Sequence, residues 1–446
     1  MSIEDKKNPN NPTIAIQTLG CKVNQFESAC FRSALEAKGV QVVPFSQAAD
    51  VYVVNTCAVT AKAGAQSRQV IRQAMKRNPR ARLVVTGCYA QIAAQDVLEM
   101  VEQPLCIVGN GFKDHLVEVA VSGKQCDLEM FMGDIRRKEQ ICDLRASSFG
   151  DRTRAFLKIQ DGCNSFCSYC IVPYARGRSR SYLPDQVIDQ ARRFIDRGFK
   201  EIVITGIHTG LYGRDLEQQT SLFEILPRLL ALNEDVRYRI SSLEPGEISD
   251  DLLILMAENP NLMPHLHIPL QSGDAGILKK MNRKYGPDYF NRRVRRCLEM
   301  IPDMGIGVDV LVGFPGEDER AFDKTYTLLH DLPVTYLHVF PYSQRPGTPA
   351  AVMDGQVEKS LKDERVARLR ELDNEKRQEF YSRFLGRQYR VLVEGGSPKG
   401  RRMKGFTDNY IPVTFSGSID LVNRFVEVRL EDVHGPGVSG KIIEEQ

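Results

Sequence analysis

The sequence predicts an α/β protein in three parts: an N-terminal parallel α/β domain, a partial (β/α)6 barrel and a small C-terminal antiparallel β-barrel. Three observations lead to this prediction. Short apolar runs alternate with helical patterns up to residue 122, and the same alternation recurs six times between residues 154 and 340. After residue 388 the apolar period changes to two, with Gly and Pro between the runs.

The composition is that of an ordinary water-soluble protein. The chain has 446 residues, of which 42% are hydrophobic and 26% charged, and its net charge is only +3. The N-terminus is polar and no run of 18 apolar residues exists, so we expect a cytoplasmic protein without a signal peptide or membrane span. Eleven cysteines in such a chain favour metal binding over disulfides.

The first domain, residues 12–122, has a βαβ pattern that predicts a parallel sheet. Its predicted strands are 13–19, 51–55, 82–86 and 105–108, and its clearest helices are 24–38 and 62–77. A polar stretch of mixed charge follows, and we interpret residues 123–148 as a linker.

The middle domain, residues 149–380, repeats strand and helix in the order of a partial barrel. Its predicted strands are 154–160, 200–205, 236–241, 264–269, 306–312 and 334–340, with helices such as 185–198, 221–232 and 318–331 between them. A long charged helix over 357–385 then leads to the last part of the chain.

The C-terminal domain, residues 383–446, reads as short strands over 388–394, 410–415 and 424–430. The run from Gly435 to Ile442 resembles a phosphate-binding loop, but it opens no helix and lacks the Ser or Thr such a loop needs, so we predict a barrel turn. Basic residues gather near the start of this domain: Arg387, Arg390, Lys399, Arg401, Arg402 and Lys404.

Three cysteines, Cys163, Cys167 and Cys170, follow the first barrel strand with the spacing C-x3-C-x2-C. Three thiolates this close can hold three corners of a four-iron, four-sulfur cluster and leave the fourth iron open. Ferredoxins use C-x2-C-x2-C with a distant fourth cysteine, and zinc sites pair two C-x2-C knuckles or add histidines. A structural or zinc-binding triplet is the alternative, and this dense motif makes it the weaker one.

A second triplet, Cys21, Cys57 and Cys88, is spread over the first domain, one after each of three predicted strands. Because the carboxyl ends of parallel strands meet at one edge of a sheet, these three thiols are expected to converge on a second cluster. Taken singly, each could instead be a buried small hydrophobe. Of the other cysteines, Cys30 and Cys297 fall on predicted helices as packing residues, and Cys106, Cys126 and Cys142 have no partner spacing.

The motifs around both triplets resemble those of the radical S-adenosylmethionine methylthiotransferases, over nearly the whole chain. The runs Gln17-Thr-Leu-Gly-Cys-Lys-Val-Asn-Gln-Phe-Glu-Ser, Asn55-Thr-Cys-Ala-Val-Thr-Ala-Lys-Ala and Thr86-Gly-Cys-Tyr-Ala-Gln are closest to one branch of this family. That branch acts on N6-threonylcarbamoyladenosine at position 37 of tRNA. The resemblance departs at Phe26, where Tyr is expected, and at Ser168, where Thr is commoner.

The resemblance implies a radical S-adenosylmethionine core, a C-terminal TRAM domain that contacts RNA, two four-iron four-sulfur clusters and two molecules of S-adenosylmethionine per methylthio group added to adenine C2. Together with loop position it suggests Tyr169, Gly206 and Gln271 as cofactor-binding residues, with no catalytic residue beyond the cluster ligands. It also implies a tRNA anticodon loop as partner and a flavodoxin or ferredoxin as electron donor. The alternatives are methylthiolation of another tRNA base or a ribosomal protein, and a non-catalytic metal-containing RNA-binding protein.

Two basic segments are candidates for holding RNA phosphates. Seven Lys or Arg and no Asp or Glu lie between Lys62 and Arg82, and Arg176, Arg178 and Arg180 follow the second cysteine loop. A solvated helix face is the alternative for the first segment. The seven histidines are scattered, and we expect them to be structural or surface residues.

Overall fold

The structure, a computed structural model, describes residues 12–122, 127–150, 152–396 and 402–443. Its α/β architecture confirms the predicted fold class, with a parallel sheet, a partial barrel and a closed C-terminal barrel in that order. Cys126, Lys399 and Arg401 lie outside the described residues.

The N-terminal part is a six-stranded parallel sheet with the strand order β2-β1-β3-β4-β5-β6. Central β3 and β4 are buried at every position because helices and apolar side chains cover both faces of the sheet. The strands are β1 Ile14–Thr18, β2 Val42–Val43, β3 Val51–Thr56, β4 Arg82–Gly87, β5 Leu105–Val108 and β6 Leu128–Phe131. The helices are α1 Lys22–Ala37, α2 Ala61–Arg77, α3 Cys88–Ile92, α4 Ala94–Met100 and α5 Leu116–Val121.

Strand β6 corrects one prediction. It lies inside the segment 123–148 that the sequence suggested was a linker, yet it pairs in parallel with β5 as the edge strand of the sheet. An edge strand has only one paired side, and the side chains of β6 are half-buried or exposed. A four-residue strand with so little burial has a weak periodic signal, which explains why it is missed.

The middle part contains the six predicted parallel barrel strands in two groups of three, β11-β10-β7 and β12-β13-β14. Isolated bridges from Tyr238 to Leu262 and from Ser242 to His267 connect the groups. The strands are β7 Arg154–Lys158, β10 Glu201–Thr205, β11 Arg237–Ile240, β12 His265–Gln271, β13 Gly305–Val312 and β14 Tyr336–Pro341, with the short pair β8 Gln160–Asp161 and β9 Arg180–Ser181. The helices are α6 Val172–Arg176, α7 Pro184–Asp196, α8 Leu222–Leu230, α9 Asp250–Glu258, α10 Ala275–Lys280, α11 Pro287–Met300 and α12 Glu319–Asp331.

Helix α13, Lys359–Ser382, leads into a closed five-stranded barrel. Neighbouring strands of this barrel pair antiparallel, except that β17 and β19 pair in parallel with each other. His434 pairs with Gly437 across Gly435-Pro436, so the glycine-rich run is a hairpin turn as predicted. The strands are β15 Gln388–Gly396, β16 Arg402–Phe406, β17 Pro412–Ser416, β18 Phe425–His434 and β19 Gly437–Ile442. No helix in the described ranges has the length and apolarity needed to cross a membrane.

The C-terminal barrel closes the end of the partial barrel where the strands begin. Arg239 of β11 donates to the carbonyl of Asp408 at 2.9 Å, and Arg154 of β7 pairs with Glu394 of β15. The ring of Tyr410 lies 4.4 Å from that of His265, at the start of β12. The opposite end, where the strands finish, remains the place for a site.

Helix α1 joins the N-terminal sheet to the partial barrel. Its Phe26, Ala29 and Cys30 belong to the same apolar core as the barrel strands and helices. Beside them, the buried carboxylate of Glu27 accepts hydrogen bonds from Lys158 at 3.0 Å and Arg176 at 3.0 Å.

Two further charges complete this buried network. Lys113 also pairs with Glu27, and Asp161 pairs with Lys158 at 2.7 Å and with Arg176 at 2.8 Å. Burial raises the pKa of Glu27, but Arg176, Lys113 and Lys158 outweigh that effect and hold the pKa well below its usual range. Charges taken out of water in this way are tolerated only when each one has a partner.

We therefore predict that Glu27→Gln destabilises the chain by about 3 to 5 kcal/mol, because it leaves buried cations without their counter-charge. Anaerobic urea unfolding at matched iron content measures the change. The control is Glu36→Gln on the same helix, whose carboxylate is 48% exposed and 3.8 Å from Arg32. That surface pair should contribute less than about 1 kcal/mol, and equal losses for both variants would contradict the interpretation.

Candidate metal centres and active site

The first cysteine triplet lies where three neighbouring strands of the N-terminal sheet end. Cys21 precedes α1, Cys57 follows β3, and Cys88 is the first residue of α3. Strands β1, β3 and β4 are adjacent, so their carboxyl ends bring the three thiols together. The three thiols are close enough to interact electrostatically, because Cys88 and Cys21 each raise the pKa of Cys57.

Two glycines allow the chain to make these turns. Gly20 has φ 89°, and a Cβ there would lie 2.6 Å from the sulfur of Cys57. Gly87 has φ 95°, and a Cβ there would lie 2.3 Å from the carbonyl oxygen of Thr56. Other residue types are therefore excluded both by conformation and by space.

The surroundings of this triplet suit a metal cluster. The thiols form no disulfide, and the side-chain amide of Asn110 lies 3.9 Å from the sulfur of Cys88 as an N–H donor. Burial raises the pKa of Cys21 and raises that of Cys57 to about 12, so these thiols are protonated until a metal displaces the protons. Soft thiolate donors with N–H groups nearby are the usual setting of iron–sulfur clusters.

The second triplet lies in the loop after β8, at the mouth of the partial barrel. The amide of Ser165 donates to the sulfur of Cys163 at 3.4 Å, and the guanidinium of Arg283 donates to the sulfur of Cys167 at 3.4 Å. Cys170 is tied back by its amide to the carbonyl of Cys167 at 2.9 Å. This donor set fits a cluster held by three thiolates with hydrogen bonds to sulfur.

His208 is a member of this site that the sequence did not identify. Its Nδ1 lies 3.5 Å from the sulfur of Cys163, and its Nε2 lies 2.5 Å from Glu247. Burial lowers the pKa of His208, but Cys163 and Glu247 outweigh it and raise the pKa to about 10, so the ring carries a positive charge at neutral pH. We expected structural or surface histidines because the seven are scattered along the sequence, and only the barrel fold brings His208 to Cys163, 45 residues away.

The second triplet opens into a cavity of about 150 Å³, which shares Cys167, His208, Glu244 and Arg283 with a neighbouring cavity of about 410 Å³. Arg283 and Glu244 stand on different barrel loops and pair at 2.5 Å, and no motif signalled either of them. The two cavities leave room beside the thiols for a small molecule.

Of the three residues suggested for cofactor binding, only one lines a cavity beside the second triplet. Tyr169 lines the smaller cavity, with its ring 6.4 Å from that of Phe314. Gly206 lies against Gln160, and the following residues, Ile207 and His208, line the cavity instead. Gln271 ends β12 with φ 69° and is not among the residues that line either cavity.

Helix α6 connects the two triplets. It begins two residues after Cys170, and the carbonyl of Ala175 accepts a hydrogen bond at 2.7 Å from Asn110, the same amide that approaches Cys88. Arg176 donates at 2.5 Å to Asn24, one turn from Cys21. In the sequence, 75 residues separate Cys88 of the first triplet from Cys163 of the second. In the structure, the two triplets lie on either side of the five-residue helix α6.

The loop after β14 forms a second connection. Ser343 accepts a hydrogen bond at 2.9 Å from the amide of Ala61, close to Cys57, and the amide of Ala350 donates at 2.8 Å to Ser168 in the second cysteine loop. Arg345, which lies between Ser343 and Ala350 in this loop, is buried. Burial lowers the pKa of Arg345, and the nearby Cys57 opposes that effect. The loop after β14 therefore contacts both the chain that follows Cys57 and the second cysteine loop.

The predicted phosphate contacts are corrected in part. Arg176 and Arg180 are buried, and Arg180 donates to the carbonyl of Arg176, so neither can reach a phosphate. Arg178 is exposed. Arg82 is buried against Glu129 at 2.8 Å, whereas the rest of that segment presents exposed cations at Lys62, Arg72, Lys76, Arg77 and Arg80.

The remaining described cysteines are buried and unpaired. Cys30 and Cys297 pack in the apolar core from α1 and α11, as predicted. Cys106 and Cys142 are also buried, and burial raises the pKa of both.

Comparison with known proteins gives two family matches. Residues 13–109 match the model described as "Uncharacterized protein family UPF0004", and residues 157–329 match the radical SAM superfamily. Among solved structures, the radical S-adenosylmethionine methyltransferase TsrM from Kitasatospora setae is 16% identical, with a TM-score of 0.56 over 76% of this chain and 77% of its own. The similarity to that structure concerns the fold alone.

Three curated relatives are similar over nearly the whole chain. The threonylcarbamoyladenosine tRNA methylthiotransferase MtaB of Bacillus subtilis is 38% identical over 97% of this chain and 96% of its own. The MtaB of Aquifex aeolicus is 38% identical over 91% and 97%. A tRNA-2-methylthio-N(6)-dimethylallyladenosine synthase of Staphylococcus aureus is 31% identical over 98% and 86%.

The chain thus belongs to the radical S-adenosylmethionine tRNA methylthiotransferase family. Its cofactors are S-adenosylmethionine and [4Fe–4S] clusters. Each of the two thiol triplets described above fits a [4Fe–4S] cluster.

Replacing Gly20 tests the geometry of the first triplet. We predict that Gly20→Ala loses about half of roughly eight irons per chain, because its Cβ must displace Cys57. Gly198→Ala is the control, since Gly198 has φ 80° with nothing within 4 Å of the added Cβ. Both variants carry the strain of a positive φ, but only Gly20→Ala should lose iron in an anaerobic iron assay. If Gly20→Ala kept all of its iron, the assignment of Cys57 as a cluster ligand would be contradicted.

Proposed function

We propose that this protein adds a methylthio group to adenine C2 of N6-threonylcarbamoyladenosine at position 37 of tRNA. The observation that carries the proposal is the pair of thiol triplets on either side of helix α6, in a chain 38% identical over nearly its whole length to a threonylcarbamoyladenosine tRNA methylthiotransferase. The greater identity to that relative than to the dimethylallyladenosine enzyme favours this substrate. A non-catalytic RNA-binding role is not favoured.

Six cysteines are the proposed cluster ligands. Cys163, Cys167 and Cys170 would hold the cluster that binds S-adenosylmethionine, with Tyr169 toward that cofactor from the wall of the smaller cavity, and Cys21, Cys57 and Cys88 would hold the second cluster. Bound clusters and S-adenosylmethionine supply the radical and sulfur chemistry that an unactivated aromatic C–H bond requires.

The protein's own groups provide orientation and charge. Hydrogen bonds from Ser165 and Arg283 orient the sulfurs of Cys163 and Cys167. The charged His208 beside Cys163 and the buried Arg176 beside Cys21 and Cys88 offset the negative charge that thiolates bring. These contacts support a role in fixing the ligands and excluding water.

The tRNA is proposed to bind through its anticodon loop, where an unpaired base can be turned into the space between the triplets. Support comes from the exposed cations of α2 and from Arg387, Arg390, Arg402 and Lys404 on the C-terminal barrel. The electron donor is proposed to be a flavodoxin or ferredoxin, and the working compartment the cytoplasm.

Cysteine replacement tests the division of labour. We predict that Cys57→Ala retains reductive cleavage of S-adenosylmethionine but forms no methylthiolated nucleoside, whereas Cys167→Ala loses both. Cys297→Ala, a buried core cysteine on α11, is the control and should retain both. Mass analysis of tRNA digests and of released 5′-deoxyadenosine gives the readout, and product formation by Cys57→Ala would overturn the proposal.

The RNA surface is tested by salt dependence. We predict that Lys76→Gln weakens tRNA binding and lowers the slope of log Kd against log salt by about one counterion. Lys359→Gln, an exposed lysine at the start of α13, should leave the slope unchanged. Equal slopes for Lys76→Gln and the unmodified chain would remove α2 from the interface.

A further inference from the structure

A groove lined by exposed cations extends from the second cysteine loop along helix α11. Its first part is the cavity of about 410 Å³ that contains Cys167. Its second part is a cavity of about 480 Å³, which four arginines of α11 line. Tyr289 lines both cavities, so the two parts are continuous, and we call them together the α11 groove.

Every carboxylate that lines the α11 groove already pairs with a cation. The pairs are Glu244 with Arg283, Glu247 with His208, Asp250 with Arg293 and Arg296, and Glu299 with Arg296. Four exposed cations that line the groove have no carboxylate partner among the described residues: Arg214, Lys284, Arg292 and Arg295. Lys284 and Arg295 donate only to uncharged groups, among them the side chains of Asn282 at 2.9 Å and Asn291 at 2.8 Å. The groove therefore presents positive charge that nothing within the chain neutralises.

The α11 groove is separate from the surfaces proposed to hold tRNA. Every residue that lines its two cavities belongs to the partial barrel, whereas the proposed RNA-binding cations belong to α2 and the C-terminal barrel. The N-terminal sheet domain meets the outer barrel strands, since Glu27 pairs with Lys158 of β7 and Ala61 bonds to Ser343 in the loop after β14. The groove instead lies at the loops after the inner strands β10, β11 and β12. A partner in the groove therefore does not need the surfaces proposed for tRNA.

The side chains of the groove fit the surface of an acidic protein. Guanidinium groups bind carboxylates through two parallel hydrogen bonds, and Arg and Tyr are enriched where proteins meet. Tyr289 lies at the junction of the two cavities, with the guanidinium of Arg293 6.0 Å from its ring.

One end of the α11 groove reaches the second cysteine triplet. Cys167 lines this end, and the guanidinium of Arg283 on the same wall donates to its sulfur at 3.4 Å. A protein that lies along α11 therefore extends to the thiols proposed to hold the cluster that binds S-adenosylmethionine. That cluster requires an electron from outside the chain, so this position suits the partner that supplies it.

We propose that the α11 groove docks an acidic low-potential electron carrier and places its redox cofactor beside the cavity that contains Cys167. This inference rests on the proposed function and adds the surface by which the electron donor is recognised. The carrier gives up one electron, the cluster at the second triplet accepts it, and no other group is transferred. Attraction between unlike charges steers such a transient partner and acts mainly on the association rate.

Binding of oxidised carriers to the anaerobically iron-loaded chain tests the inference without turnover. The probes are a flavodoxin and a ferredoxin, and the one that binds identifies the class of carrier. For that carrier, the double variant Lys284→Gln/Arg292→Gln should raise the Kd about fivefold at low salt, as expected for the loss of two surface ion pairs. The difference should disappear at high salt, where exposed charges are screened. Saturating tRNA should leave the Kd for the carrier unchanged.

A matched variant controls for the loss of charge. Lys359→Gln/Arg370→Gln removes the same two charges from exposed positions on α13 and should bind the carrier like the unmodified chain. Equal iron content in all three chains shows that the second cysteine loop is intact. The inference is overturned if neither carrier binds, if both double variants bind the carrier equally, or if Lys284→Gln/Arg292→Gln weakens the binding of tRNA instead.

A chemical reductant separates this inference from the proposed function. Dithionite needs no docking surface, so with dithionite the variant Lys284→Gln/Arg292→Gln should form methylthiolated nucleoside as fast as the unmodified chain, and with the carrier it should be slower. If dithionite supports product formation but this variant keeps full affinity for the carrier, the inference fails and the proposed function stands. If the unmodified chain forms no methylthiolated nucleoside with dithionite, the proposed function itself fails.

Discussion

The structure depends on a small set of buried charges where α1 meets the partial barrel. Glu27 and Asp161 together pair with Lys113, Lys158 and Arg176, and these five groups come from the sheet domain, strands β7 and β8 and helix α6. A buried charge is tolerated only when its partners are present, so each domain supplies what the other requires. The network therefore fixes the relative position of the parts that carry the two thiol triplets.

The same network explains why Arg176 is not a phosphate contact. Its guanidinium is fully buried and also donates to Asn24, so it links the turn after Cys21 to the helix after Cys170. Its charge lies close to the thiols of Cys21 and Cys88 and offsets the negative charge that metal binding would place there. Arg176 thus contributes both to the packing of the domains and to the charge balance around the thiols, and both roles depend on its position next to the second cysteine loop.

The two ends of the partial barrel have different surroundings in this arrangement. At the end where the strands finish lie the second cysteine loop, His208 and the cavities beside them. The C-terminal barrel closes the far end, with Tyr410 against His265. The second triplet therefore lies at the opposite end of the partial barrel, which adjoins the N-terminal sheet through the pairing of Arg176 with Glu27.

Local patterns were enough to predict the elements that repeat regularly. The parallel strands β3 and β4, the six barrel strands and the turn at Gly435 were each evident from apolar period or turn residues, because those signals depend on neighbours in sequence. Edge strand β6 was missed because its side chains are hardly buried and leave no period. The two triplets could be found from spacing and from their positions at strand ends.

By itself, then, the sequence determined the fold class and the family and predicted the thiol ligands, since each is written in short runs of residues. Only the tertiary structure decided which charges are exposed and which are buried. It turned Arg176 and Arg180 inward and brought His208 to Cys163. Burial and long-range pairing depend on how the domains pack, and no local pattern records that packing.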